Sequence, residues 1–317
     1  MDIKTYNPKY KVYLYGAGLE YNKLTSYLSA YRYMFEVMGI VVSKPIEMKC
    51  IDGYQIIPIY EISDSEYDFI ILASRRYWKE MLAECIAGGV EEEKVIRGSI
   101  FELPRFDFEE YIRLEKSKVS ILSNYCAGGL IYKELGLKML SPTINMICEG
   151  ENFFRFLADY EYYLGKGMRL YDDGYGDADS YRLKNDYIRF MPRGIIDDKV
   201  VWYFAHETDP KKEVALWNIR RKRVNIDNIA IIMIIQSDEE AHRFASLPFS
   251  KKIGLYYKDM NLPSVIKIDG WEDAAERRAA IYRWHVYANN CVLNTKGKIS
   301  KIDWIRFLNG SEDFIRY

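Results

Sequence analysis

Short apolar runs alternate with amphipathic stretches along this chain, the pattern of buried strands with helices laid over them. Residues 12–15 (VYLY) form a compact apolar-aromatic run that leads into Gly16-Ala17-Gly18 and a helical stretch over about 21–35. Further strands are expected over about 37–42, through 53–57 after a glycine turn, and over 68–73. A helix over 77–87 stops at Gly88-Gly89, as glycine favours a C-terminal cap, and residues 94–96 begin another strand. This alternation predicts a first domain over 1–104, a small parallel sheet with covering helices. Residues 105–118 are charged and helical in character and read as a linker helix.

A second series fills residues 119–317. Strands are expected over 119–122, 168–171, 187–190, 200–204, 229–235, 252–257 and 264–268, and helices over 151–164, 210–223, 238–246 and 271–288. The fold class is therefore α/β, with two unlike domains. The second carries a larger mixed or mostly parallel sheet under covering helices. The two halves share strand–turn–glycine–helix openings without a sequence repeat.

The densest chemistry falls at the start of that second half, where the apolar run breaks at Ser123-Asn124 before Cys126 and Gly128-Gly129. Small polar groups and flexible backbone at a strand-to-helix junction suit a ligand site in an open α/β sheet. A thiol in the first turn of a helix is favoured as thiolate by the terminus, making Cys126 a candidate nucleophile with His206 as its base. Backbone amides at Gly128 and Gly129 would receive an oxyanion or phosphate. Equally, Cys126 is a small residue packing helix on strand, and the glycines allow that approach. Ser123, Asn124, Ser141, Thr143 and Asn145 either hydrogen-bond a ligand at the sheet mouth or cap helices and turns.

Further along, Trp217, Arg220, Arg221 and Arg223 gather an indole and three guanidinium groups in a helix end. Arginines so placed suit a pyrophosphate or carboxylate, or form a solvated cationic terminus favoured by the helix dipole. In the first half, Gly16 and Gly18 are the candidate cofactor-binding positions. The third small residue of a dinucleotide fingerprint is replaced by Tyr21, and Ser43-Lys44 stands where the ribose-binding acid is expected. No cofactor is named by this pattern. The acidic loop with Asp172, Asp173, Asp177 and Asp179 is a glycine-punctuated turn more than a metal site, and none is assigned. His285 belongs to a helical stripe, and His242 sits on a charged helix.

The motifs VYLYGAG, MGIVVS with IDGYQII, and DFIILAS with GGV and KVI resemble the Rossmann-type N-terminal module of bacterial sugar-modifying enzymes. SILSNYCAGGLIYKELGLKMLSPTINM, FFRFLADYEYYL, MPRGIIDDKVVWYFAHET and ALWNIRRKRVNIDNI resemble a bacterial family labelled exopolysaccharide or capsule biosynthesis protein. That resemblance covers about residues 118–260 and implies a surface-polysaccharide pathway without naming a step.

Composition adds boundaries. A formal net charge of −1 gives no general attraction to nucleic acid or to an anionic membrane. The longest aliphatic run, 229–235, is far short of the roughly 20 residues of a membrane helix. The opening MDIKTYNPKY has no apolar core for a secretory signal. Five cysteines without paired spacing suit reduced thiols, and a cytoplasmic setting is expected. The reading that follows is a transferase acting on an activated sugar or glycan precursor. The alternatives are a Cys126/His206 acyl-transfer or hydrolytic enzyme, and a non-catalytic module that senses a nucleotide or binds a partner. The sequence fixes no oligomeric state.

Overall fold

The computed structural model describes residues 9–62, 67–171, 191–204, 209–268 and 301–315. These fall into two compact units divided between Phe106 and Asp107. The expected strand at 187–190 and helix at 271–288 lie outside the described residues.

In the first unit the chain runs through β1 (Tyr10–Tyr15), α1 (Leu19–Leu28), β2 (Phe35–Val42), β3 (Cys50–Ile51), β4 (Tyr54–Pro58), β5 (Phe69–Leu72), α2 (Trp78–Ala87) and β6 (Val95–Arg97). The sheet order is β3-β4-β2-β1-β5-β6. Every neighbouring pair is parallel except the β3–β4 hairpin. Alternation along β1 turns Tyr13 and Tyr15 toward α2, where Met81 and Cys85 join Val41, Ile70 and Leu72 in one core. Tyr21, Leu24 and Leu28 are the buried side of α1. The expected helix over 21–35 stops early, tightening into a 3-10 turn over Ser29–Tyr31 before β2 begins. The order reverses at β1, so the connections leaving the paired carboxyl ends of β1 and β5 run toward opposite sides of the sheet.

The second unit contains α3 (Phe108–Ser117), β7 (Ser120–Ser123), α4 (Ala127–Leu135), β8 (Met146–Ile147), α5 (Gly150–Ala158), α6 (Tyr160–Gly165) and β9 (Met168–Leu170). It continues through β10 (Arg193–Ile196), β11 (Val200–Phe204), α7 (Pro210–Arg220), β12 (Ile229–Ile234), α8 (Asp238–Ala245), β13 (Lys252–Tyr256), β14 (Val265–Lys267) and α9 (Trp304–Leu308). Among the described residues there are two four-stranded sheets: β14-β13-β12-β7, and β8-β11-β10-β9. The first is parallel throughout and the second antiparallel. Helix α3 is tied into this unit, its last turn held by the side-chain amides of Asn225 and Asn228, which donate to Ser117 O.

All six residues of β12 are buried, as expected of a central strand covered on both faces. Leu122, Ile231, Met233 and Ile235 from the parallel sheet share a core with Met146, Ile196, Val200, Trp202 and Phe204 from the antiparallel one. Phe153, Phe154 and Phe156 of α5 and Trp217 of α7 complete it. Aromatic side chains of this size dominate core energetics, and truncating one of them costs about 3–5 kcal/mol. The expected helix over 151–164 is two helices, broken at Asp159, whose φ of −148° is outside the helical region. Helix starts follow side-chain caps: Asp107 accepts from Glu110 N, Asp209 precedes Pro210 and accepts from Lys211 N, and Ser237 accepts from Glu240 N.

Candidate functional site at the end of the parallel sheet

Among the described residues β7 is the edge strand of the parallel sheet, and an edge strand leaves a row of backbone groups to be satisfied. Here side chains do it. Ile121 N donates to the Tyr132 hydroxyl at 2.9 Å, and that hydroxyl donates to Val119 O at 2.9 Å. Ser123 N donates to Thr143 Oγ1 at 3.1 Å, and Ser141 Oγ lies 3.1 Å from the same oxygen while accepting from Thr143 N. On the inner side the β7 backbone stops pairing at Ser123, but β12 runs on. The Asn124 side chain extends the ladder: Nδ2 donates to Ile234 O at 3.0 Å and Oδ1 accepts from Ile234 N at 2.8 Å. Ser123, Asn124, Ser141 and Thr143 are thus brought together, all buried, with their polar atoms spent on backbone.

The turn into α4 is equally tight. Ser123 Oγ donates to Tyr125 O at 2.6 Å and accepts from Gly128 N at 3.2 Å. A Cβ on Gly128 would lie 2.8 Å from Ser123 Oγ and 3.1 Å from Ile121 Cγ2, so only glycine lets the helix approach the strand this closely. At Gly129 the neighbour is Ile144 Cγ2, at 3.1 Å. Asn145 is exposed in the left-handed region with φ +60°, a conformation asparagine tolerates. Cys126 occupies the N-cap of α4, just ahead of the first turn in which the sequence places it, because the helix begins at Ala127. Its thiol is nonetheless pushed up to about 11 by burial. Desolvation outweighs the helix terminus, so the group stands as a thiol near neutral pH.

Several groups at this edge were not singled out by the sequence. Beyond β12, Gln236 Nε2 donates to the Tyr125 hydroxyl at 2.6 Å, and Gln236 N donates to Glu240 Oε2 at 2.8 Å. Burial raises the Glu240 carboxyl above its ordinary value. Cys148 N donates to Asn124 O at 2.9 Å, which brings β8 against the same turn. The charge of Glu149 acts on both Tyr125 and Tyr203, whose hydroxyls burial raises. Opposite Tyr203 on β10 is Arg193, with its guanidinium 5.7 Å from the Tyr203 ring centroid and 4.9 Å from that of Tyr171. A charged helix start reading DEE carries no sequence signal that separates a capping glutamate from a buried one.

The arginine turn stands elsewhere. Trp217 is fully buried, 5.4 Å from the Trp202 ring and 6.3 Å from that of Phe156. Arg220 faces Glu213 across 3.6 Å. Arg221 Nη1 donates to Leu164 O at 2.7 Å and Gly165 O at 3.0 Å, closing the end of α6. Arg223 is exposed in a 3-10 turn that leads to Asn225. Asn225 N meets Ser120 Oγ at 2.8 Å, at the amino end of β7. This turn and Ser123–Cys126 therefore meet β7 from opposite ends. His206, like Asp172, Asp173, Asp177, Asp179 and His285, lies outside the described residues. Among the described residues no group of three acidic, histidine or cysteine side chains is placed to hold a metal ion, and no helix is long and apolar enough to cross a membrane.

In the first unit Gly16 has φ +113°, which reserves the β1–α1 turn for glycine, and Gly18 is the N-cap of α1. Tyr21 is buried inside α1's packing face, so the fingerprint's third small position is filled by a ring. Ser43 Oγ donates to Glu84 Oε2 at 2.5 Å, and the Tyr15 hydroxyl donates to the same carboxylate.

Fold and site together define an α/β protein of two units, the second built on a parallel sheet whose carboxyl edge is lined by buried polar side chains. The chain belongs to the family described as Domain of unknown function (DUF1919), which matches residues 97–309. Residues 8–96 match a second family described as C2185-like, N-terminal. An uncharacterized protein of Haemophilus influenzae (strain Rd) is 22% identical over 149 residues. That match covers 46% of this chain and 65% of the relative's length. The crystal structure of aspartate semialdehyde dehydrogenase II from Vibrio cholerae, complexed with ASA, superposes with a TM-score of 0.22 at 10% identity. It covers 71% of this chain and 68% of that one.

Proposed function

We propose that the protein is a transferase acting on an activated sugar or glycan precursor in bacterial surface-polysaccharide assembly, with its substrate bound at the carboxyl edge of the second unit's parallel sheet. The supporting observation is the build of that edge. Residues 119–145, which carry much of the resemblance to polysaccharide-biosynthesis proteins, fold into one wall of it. Gln236, Glu240 and Glu149 stand around Tyr125 beside that wall. Ligands of open parallel sheets bind at carboxyl ends of strands, where loops and helix starts converge. The Rossmann-like reading of the first unit agrees with a nucleotide-bearing donor.

The test is isothermal titration of the intact chain with UDP-glucose, UDP-N-acetylglucosamine, UDP-glucuronate and GDP-mannose. Saturable binding of at least one is expected. No heat from any of them, with folding verified by circular dichroism, sinks the reading.

A further inference from the structure

Glu240 is an acidic group that the fold leaves incompletely used. It lies in the first turn of α8, behind the Ser237 cap. Its Oε2 accepts from Gln236 N at 2.8 Å. Its Oε1 takes the space a side chain on Gly150 would need: a Cβ there would sit 1.9 Å away. Any side chain at the first helical position of α5 would have to displace this carboxylate. No cation among the described residues pairs with this carboxylate. Arg243, one turn further along α8, goes instead to Glu151 at 2.6 Å. The charged and titratable groups facing Glu240 are Arg243 and Glu239 from its own helix, Glu151 from α5, and Tyr125 ahead of α4. Oε2 serves the start of α8 in the manner of a capping box, with Ser237 Oγ accepting from Glu240 N, and this leaves Oε1, at the carboxyl end of a central parallel strand, without a cation among the described residues.

We propose that Glu240 is the proton acceptor of this site, activating a hydroxyl of the sugar or glycan that receives the transferred group. The inference rests on the transferase reading above. In the step, the acceptor O–H bond breaks and its proton passes to Oε1 of Glu240. The freed oxygen pair forms a bond to the anomeric carbon of the donor. The anomeric carbon–oxygen bond to phosphate breaks, and the nucleoside diphosphate leaves with that electron pair. Oε2 keeps its bond from Gln236 N, which fixes the carboxylate plane. Burial holds the carboxyl above the ordinary glutamate value, closer to working pH, where a general base is most effective. Cys126, protonated up to about 11, is a poor competitor for the same proton.

The experiment measures nucleoside diphosphate release by the full chain from the same four nucleotide sugars. Glucose or N-acetylglucosamine is the acceptor probe, water serves as a further acceptor, and the rate is followed across pH. Wild type should lose kcat on the acid side with a midpoint above that of a free glutamate. Glu240→Gln should lower kcat by about 10²–10⁴-fold, keep donor affinity within a few-fold, and lose the acid limb. Glu240→Asp, which keeps the carboxylate, should recover part of the rate and restore the limb, and it decides the question if the glutamine variant does not fold. Turnover by wild type that Glu240→Gln or Glu240→Asp leaves unchanged in rate and pH profile overturns the role and spares the transferase reading. No release by folded wild type from any donor overturns both.

Discussion

Asn124 offers the sharpest test of whether the signature stretch is architecture or ligand surface. Its side chain replaces a strand residue: β12 runs two residues beyond Ile232, the partner of Ser123 at the end of β7, and the amide supplies both the donor and the acceptor that Ile234 lacks. Asn124→Ala would strip both partners from Ile234, inside a sheet where the site is 1% exposed and closed to water. A buried backbone group left unsatisfied costs about 1–3 kcal/mol, so the pair predicts a loss of about 2–6 kcal/mol. Asn124→Asp should also lose stability, because it keeps an acceptor for Ile234 N but sets a carboxylate against Ile234 O. The measurement is the urea midpoint at unchanged m-value, with the exchange rate of the Ile234 amide as a local readout. The side-chain ladder is refuted if Asn124→Ala unfolds within about 0.5 kcal/mol of wild type, the range of an uninvolved surface site. Lost nucleotide-sugar binding in that same stable variant would place Asn124 on the ligand.

Gly150→Ala should destabilise the second unit, since its Cβ would collide with Glu240 Oε1, and Glu240→Ala should relieve the collision. A double-mutant cycle by urea unfolding checks this, and additive losses would contradict it. Cys126 should react with iodoacetamide at pH 7 about 100-fold more slowly than a free thiol, as its raised value leaves little thiolate. Peptide mapping follows the site, and alkylation as fast as that of glutathione would break the prediction. Tyr132→Phe should cost about 1–3 kcal/mol by leaving Ile121 N and Val119 O on a bare strand edge, and it should promote self-association, visible by light scattering. Because the folded Glu240 carboxyl lies above its unfolded value, its charge opposes folding at neutral pH, and that opposition disappears as pH falls through the folded value. Unfolding free energies of Glu240→Gln should therefore exceed wild type near pH 7 and converge with it in acid; equal values at both pH extremes would contradict the burial.

Elements with long periodic signals were legible. The run at 229–235 stood out by its continuous aliphatic residues, and the helices expected from 210 and 238 begin there, behind the caps Asp209 and Ser237. β8 has two residues, and β10 reads RGII just after a proline, so neither carries a period to detect. The division of the second unit into a parallel and an antiparallel sheet is a long-range fact that local patterning does not contain. Cys126 could be placed at its helix start because cap position is local. The direction of its shift could not, because desolvation depends on neighbours distant in sequence. Glu240 was hidden for the same reason, its role set by Gly150, 90 positions earlier in the chain.

The same contrast bears on how residues 119–145 relate to function. Each of Ser123, Asn124, Ser141 and Thr143 has polar atoms satisfied by the turn, by β12 or by one another. A ligand could recruit them only by breaking bonds that hold the edge strand, at about 1–3 kcal/mol for each backbone group stranded. Recognition in this stretch is then better served by groups outside the network. Glu240 Oε1 receives no hydrogen bond among the described residues, and Glu149 is exposed beside Tyr125. A sequence pattern this dense can mark a fold device, with β7 closed by side chains in place of a neighbouring strand. The chemistry would then rest on the carboxylates that the device brings to its rim.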